Sequence, residues 1–266
     1  MDIITVNQEA CIRCGMCVDV CPMRIVTMDD RQGPRADGET CIACGHCAAV
    51  CPQAALDNVK TPLSGQTPVA QLPILEATTA AQFLRSRRSI RNYKPVAVER
   101  EKIRQLLDIA RMAPTAGNSQ GVSYYVIDRP ETLQQVTATM IEWMKEEVAN
   151  ASPWALFFKR TIEVYTKSGY DFVLRGAPCL IIGAVPKPFF ETGKNHTYLS
   201  FAYAALYAPS LDLGTCLFGF SSYQPLHDLI GLPDGMAVTG GLGVGYPRYS
   251  FKRLVDRNPP QVTWQD

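Results

Sequence analysis

The sequence predicts an α+β protein of two domains in series, a small one knit by cysteines and a larger one of mixed helix and strand. Three observations carry that reading. The phrase CIRCGMCVDVCP at 11–22 returns as CIACGHCAAVCP at 41–52 with eight of twelve positions identical, so one structural unit is repeated. Beyond it, Pro62, Pro68 and Pro73 fall in a stretch without periodicity, which reads as an extended linker. From about residue 76, helical and strand patterns alternate. The expected divisions are residues 1–57, a linker over 58–75, and residues 76–266.

Composition limits the function classes. The 266 residues are 47% apolar, enough for a sizeable core, and 26 basic against 25 acidic residues leave a formal charge of +1. That balance argues against nucleic acid and against an acidic membrane surface as partners. The N-terminal MDIITVNQEA has no basic stretch followed by an apolar core, and no run of about 18 apolar residues is present to cross a bilayer. A soluble cytoplasmic protein is expected. In that reducing compartment, eight clustered cysteines point to metal binding instead of disulfides.

Both phrases fit C-x2-C-x2-C-x3-C-P, the spacing of bacterial ferredoxins. Three cysteines at i, i+3 and i+6 on a tight loop can each meet one iron corner of a cube, and Gly15 and Gly45 are expected to relieve crowding there. Structural zinc fits less well, since tetrahedral sites usually take two separated pairs. In two-cluster ferredoxins the fourth cysteine of each run ligates the other cluster. Carried over, one [4Fe-4S] cluster falls to Cys11, Cys14, Cys17 and Cys51, and a second to Cys41, Cys44, Cys47 and Cys21. So short a domain builds a weak apolar core, and the clusters are expected to staple it. His46 is expected at the surface.

In the larger domain, VEREKIRQLLDIARMA places Ile103, Leu106, Leu107 and Ala110 on one helical face, with Pro114 as the stop. VSYYVI reads as a strand and PETLQQVTATMIEWMKEEVAN as a long amphipathic helix. The apolar run PCLIIGAV suits a strand buried on both faces. YLSFAYAALYAPSLDLG reads as a buried helix ending near Gly214, and MAVTGGLGVGYP as a final strand. GGLGVG at 240–245 looks like a dinucleotide fingerprint but lacks the helix that must follow, so strand packing is expected. Cys179 and Cys216 lie in apolar settings; no basic residue adjoins Cys216 in sequence, and a catalytic thiol is not expected.

The run RSRRSIRNYK at 85–94 holds five positive side chains in ten. A charge run is ordinarily a solvated helix end. Its company changes the weight, because APTAGNSQG at 113–121 has the small residues and amides of a loop that approaches a polar ligand. With Arg87, Arg88, Ser89 and Arg91 as R-R-S-x-R, and Pro114, Thr115, Asn118 and Gln120 as P-[ST]-x-x-N-x-Q, the chain resembles the FMN-dependent nitroreductase family, specifically members with an N-terminal two-cluster ferredoxin domain. GAPCLIIGAV, LGTCLFGF and GYPRYSFKRL add to the resemblance, which spans essentially the whole chain. The fold it implies is a nitroreductase-like FMN domain behind a ferredoxin-like one.

The resemblance implies that Arg87, Arg88 and Ser89 hold the FMN phosphate and ribityl chain, a role suited to permanently charged bidentate groups. Arg253 is implied as a second phosphate anchor, with Lys252 or Arg248 as alternatives. Asn118 would read the flavin ring edge. Gln120 is followed by Gly121 where many relatives have proline, which leaves that loop freer. A backbone N–H of Phe218 or Gly219, with Leu217 packed nearby, would face flavin N5. No side chain is implied as catalytic, and a homodimer with shared sites is implied. The expected function is an oxidoreductase that passes electrons between two [4Fe-4S] clusters and FMN to reduce a small organic acceptor, a nitroaromatic or a quinone. Ferredoxin or NAD(P)H is the expected donor, in an anaerobic host. The alternatives are a relay within a larger redox complex, or a variant reaction such as reductive dehalogenation.

Overall fold

A computed structural model describes residues 2–70, 73–220 and 223–265; residues 71 and 72 of the expected linker lie outside it. The chain divides into two units, Met1–Ile74 with Thr115–Ser119, and Leu75–Pro114 with Gln120–Asp266.

In the first unit, β1 (Ile4–Val6) pairs antiparallel with β4 (Leu56–Asn58), and β2 (Val26–Asp29) with β3 (Gly33–Ala36). Each cysteine phrase carries a four-residue helix, α1 (Met16–Asp19) and α2 (His46–Ala49). Gly15 and Gly45 precede these helices at φ 79° and 73°. The expected crowding is corrected here: a Cβ on Gly15 would meet nothing within 4 Å, so the left-handed backbone is what requires glycine. The core is small, with Ile3, Ile4, Val26, Ala48 and Leu56 packed among Cys17, Cys21 and Cys47. The Asp2 carboxylate accepts from the Ile4 and Ala36 N–H groups, each at 3.1 Å, and from Arg35, bracing the edge of this core. In the expected linker, Leu63–Gly65 forms a 3-10 turn, pinned where the Leu63 N–H donates to the Asp57 carboxylate at 2.7 Å.

The second unit is one antiparallel sheet with helices on both faces. Its strands are β5 (Ser123–Ile127), β6 (Cys179–Pro186), β7 (Gly214–Phe218) and β8 (Met236–Gly245), in the order β5-β6-β8-β7. The helices are α3 (Ala77–Ser86), α4 (Arg100–Ala110), α5 (Pro130–Ala149), α6 (Ala155–Ser168), α7 (Phe190–Tyr207) and α8 (Gln224–Ile230). Local chemistry sets their ends. The Glu76 carboxylate caps α3 by accepting from the Thr78 and Thr79 N–H groups, Pro130 opens α5, and Gly169 and Gly231 close α6 and α8 in the left-handed conformation.

Alternation along β6 splits the core. Leu180 and Ile182 face Val136, Met140, Phe158 and Leu226 from α5, α6 and α8. Cys179 and Ile181 face Ile103, Leu106, Phe201 and Ala204 from α4 and α7. Burial on both faces is why the run is apolar without alternation. A bulge at Gly183/Ala184 leaves a ladder carbonyl to be met, and the buried Thr239 hydroxyl donates to Gly183 O at 3.0 Å.

The glycines of GGLGVG lie inside β8, as strand packing requires. A Cβ on Gly241 would stand 2.2 Å from the Phe220 ring, and one on Gly243 2.6 Å from the Phe218 ring. Those rings approach β8 so closely only because the side chains are missing. Gly241→Ala is therefore expected to lower stability by about 1–3 kcal/mol through overpacking, measured as a fall in the thermal midpoint; an unchanged midpoint would mean that Phe220 swings aside without cost.

Candidate functional site

In the first unit the two loops bring the sulfurs together in fours. One small cavity is lined by Cys11, Cys14, Cys17 and Cys51, and another by Cys41, Cys44, Cys47 and Cys21. The last cysteine of each phrase thus stands with the first three of the other. All eight thiols are unpaired as disulfides. Among the described residues no three His, Cys, Asp or Glu side chains converge as a single metal ion demands. Four cysteines around one shared volume is the arrangement that a cube, whose ligands meet separate corners, would use. The left-handed residues Arg13 (φ 53°) and Ala43 (φ 52°) turn each loop between its first two cysteines. Amide donors reach the sulfurs: Ala55 N–H donates to Cys51 Sγ at 3.3 Å and Asn58 Nδ2 to Cys47 Sγ at 3.6 Å. His46 is exposed.

Asn118 also belongs to this unit. It holds φ 52° after Gly117 at φ 57°, and its Nδ2 donates to Ile42 O at 3.0 Å and Ala43 O at 2.9 Å. Its two amide protons are thereby spent on the loop between Cys41 and Cys44. Thr115 is grouped with it, whereas Pro114 and Gln120, the latter at φ 49°, fall in the second unit.

In the second unit, the segment after α3 is laid along the sheet. Ser89 bridges Thr215 in parallel, and the Ile90 N–H donates to Thr215 O at 2.8 Å. Farther on, Tyr93 bridges Pro247, the Lys94 N–H donates to Tyr246 O at 2.8 Å, and the Arg248 N–H to Asn92 O at 3.0 Å. Backbone bonds therefore hold Ser89 and Ile90 against β7, and Asn92–Lys94 against the segment that follows β8. On β7, Cys216 is buried, while Leu217 is 41% exposed and leads into Phe218 and Gly219.

Here the fold corrects a sequence expectation. No basic residue adjoins Cys216 in the chain, yet in the fold Arg91, Arg175 and Arg87 lie close enough to act on its charge. Burial still pushes the thiol up, against the pull of these three cations. The thiol is kept protonated by burial and not by distance from positive charge. Arg175 escaped the sequence reading. It holds φ 60° in a loop organised by the Asp171 carboxylate, which accepts from the Val173, Leu174 and Gly176 N–H groups at 3.0, 2.8 and 3.0 Å. Its only sequence signal was its place just before GAPCLIIGAV.

Arg88 turns the other way. Its Nη2 donates to Arg253 O at 3.1 Å, and its guanidinium lies 5.0 Å from the centre of the Phe251 ring, a cation–π contact that ties the C-terminal segment down. Beside it opens a cleft of about 620 Å³ whose cations are Arg88, Lys94 and Arg248, with Asp212 the opposing charge. Arrays of guanidinium groups and backbone N–H groups suit a phosphate or another oxyanion.

Comparison with known proteins adds to this geometry. Residues 84–246 match the model of the nitroreductase family, and residues 10–55 that of the 4Fe-4S dicluster domain. The chain is 25% identical over 191 residues to a 4-nitrobenzoate reductase of Pseudomonas putida, covering 60% of this chain and 82% of that protein. An FMN-dependent nitroreductase from Clostridium difficile shares the fold at a TM-score of 0.53 and 23% identity, over 70% of this chain and 99% of that one. A nitroreductase with bound FMN from Desulfitobacterium hafniense does so at 0.57 and 17%, over 73% and 100%.

Because each cavity draws sulfurs from both phrases, replacing Cys44 and Cys47 together by serine is expected to remove about half of the iron and acid-labile sulfide while sparing the other set. Iron and sulfide analysis of the anaerobically purified chain checks this; retention of the full content would refute the assignment of those ligands.

Proposed function

The chain belongs to the nitroreductase family, and from that membership we propose that it is an iron-sulfur flavoprotein oxidoreductase that passes electrons between two [4Fe-4S] clusters and FMN to reduce an organic acceptor, a nitroaromatic or a quinone. The observation that carries the proposal is the seat of Ser89 and Ile90, between Arg88 and Arg91, held by backbone bonds against the strand that leads into Leu217, Phe218 and Gly219. Relatives and neighbours point the same way: one is a 4-nitrobenzoate reductase and one carries FMN.

Bound FMN supplies a two-electron carrier able to hand a hydride to an acceptor, and the clusters supply single electrons. The rest falls to this chain's residues. Arg87, Arg88 and Ser89 would hold the phosphate and ribityl chain, and Arg91 and Arg175 add positive charge beside Cys216. Arg253, or Lys252 or Arg248 in its place, completes the phosphate site. Pro114, Thr115, Asn118 and Gln120 form the second loop of the family signature. The N–H of Phe218 or Gly219 would face the reactive ring atom. One chain carrying both cofactors keeps electron donor and acceptor at high effective concentration. The protein works as a homodimer, with reduced ferredoxin or a nicotinamide as donor.

The anaerobic visible spectrum of the full chain tests the proposal. Flavin and cluster bands are expected to bleach with NADH, NADPH or reduced ferredoxin, and to return when 4-nitrobenzoate or benzoquinone is added. A fully reduced protein that neither acceptor reoxidises would overturn the reductase reading in favour of a relay. Arg87→Ala is expected to weaken FMN binding by about 10–100-fold through loss of a charge-assisted contact, measured by fluorescence titration, with iron content unchanged.

A further inference from the structure

The repeated cysteine phrase provides an internal comparison. A shift of 30 residues carries Cys17 onto Cys47 and Met28 onto Asn58. Both members of the second pair line their cavities, Met28 in the set of Cys11, Cys14, Cys17 and Cys51, Asn58 in the set of Cys41, Cys44, Cys47 and Cys21. One is a thioether with no proton to give; the other is an amide.

Asn58 is built for one geometry. It is 2% exposed, its Oδ1 accepts from the Lys60 N–H at 2.9 Å, and its Nδ2 donates to Cys47 Sγ at 3.6 Å. The bond from Lys60 orients the amide, so the N–H is aimed at the sulfur before any electron arrives. Backbone donors reach both sets, with Ala55 bonding Cys51 and Ile25 among those bonding Cys21. The side-chain donor is what the repeat does not duplicate at this position.

We propose that Asn58 sets the reduction potential of the second cluster apart from that of the first, as a positioning residue whose amide stabilises the reduced state. The reasoning rests on the two-cluster reading above. Adding one electron to a cluster adds negative charge shared by its thiolate sulfurs, and an N–H dipole aimed at one of them stabilises the reduced form more than the oxidised form. Hydrogen bonds to cluster sulfurs are among the determinants of potential. With Met28 in the equivalent place, the first cluster lacks that contribution. One repeated motif thereby yields two unequal one-electron sites.

The test is an anaerobic redox titration of the whole chain, poised with dithionite and followed by EPR, on the wild type, Asn58→Met and Met28→Asn. Asn58→Met is expected to make one couple about tenfold harder to reduce, about 59 mV more negative for one electron, and to leave the other unmoved. Met28→Asn is expected to move the other couple the opposite way. Two intact couples that stay in place in Asn58→Met overturn the proposal. If Asn58→Met fails to assemble its clusters, a stationary pair of couples in Met28→Asn overturns it, and a positive shift of one couple sustains it. Half the iron and a single couple in the wild type would instead overturn the two-cluster reading on which it rests.

Discussion

The exchange of the fourth cysteine between the two phrases is the constraint on which the first unit depends. Cys51 stands with Cys11, Cys14 and Cys17, and Cys21 with Cys41, Cys44 and Cys47, so neither phrase completes a set alone. Strands of three and four residues and helices of four would be marginal by themselves, and their apolar core is slight. Mutual completion ties the halves together, since each set of four takes a sulfur from the other phrase. It also explains why the phrase repeats so closely, since both copies must present three sulfurs on the same turn and a fourth at the same remove.

The second unit solves a different problem. A sheet with helices on both faces has no surface to spare, so a ligand must be met at a strand end. The chain lays Ser89 and Ile90 along β7 with backbone bonds and leaves the neighbouring guanidinium groups free of that task. Glycines in β8 let Phe218 and Phe220 pack close against it at the end of β7, beside the exposed Leu217. Packing in the sheet and placement of the charged segment are thus one arrangement.

The elements that were legible had strong, long patterns. The helical face of Ile103, Leu106 and Ala110 and the unbroken run in β6 are buried as their periodicity requires. The two cavities group the cysteines as the spacing of the phrases suggests, because ligand spacing is nearly a local code. Other elements were not. Helix α6 carries Leu156 and Phe157 exposed at 84% and 52%, so its apolar residues do not trace one buried face. Strand β7 is five residues long, too short for periodicity to separate from a loop. Among candidate site residues, Arg175 and the surroundings of Cys216 depend on loops that meet only in the folded chain, and the bonds of Asn118 to residues 42 and 43 span a separation of 75 or more positions.

Those bonds from Asn118 bear on how the molecule can be taken apart. A simple fusion passes its polypeptide from one module to the next a single time, and either piece can be exchanged like a cassette. Here the chain crosses between its two units at residues 74/75, 114/115 and 119/120, because the short turn bearing Asn118 is counted with the first. A ferredoxin fragment ending at residue 74 would leave behind the side chain that braces one of its own ligand loops. Taking the first unit out whole therefore means carrying residues 115–119 along with it.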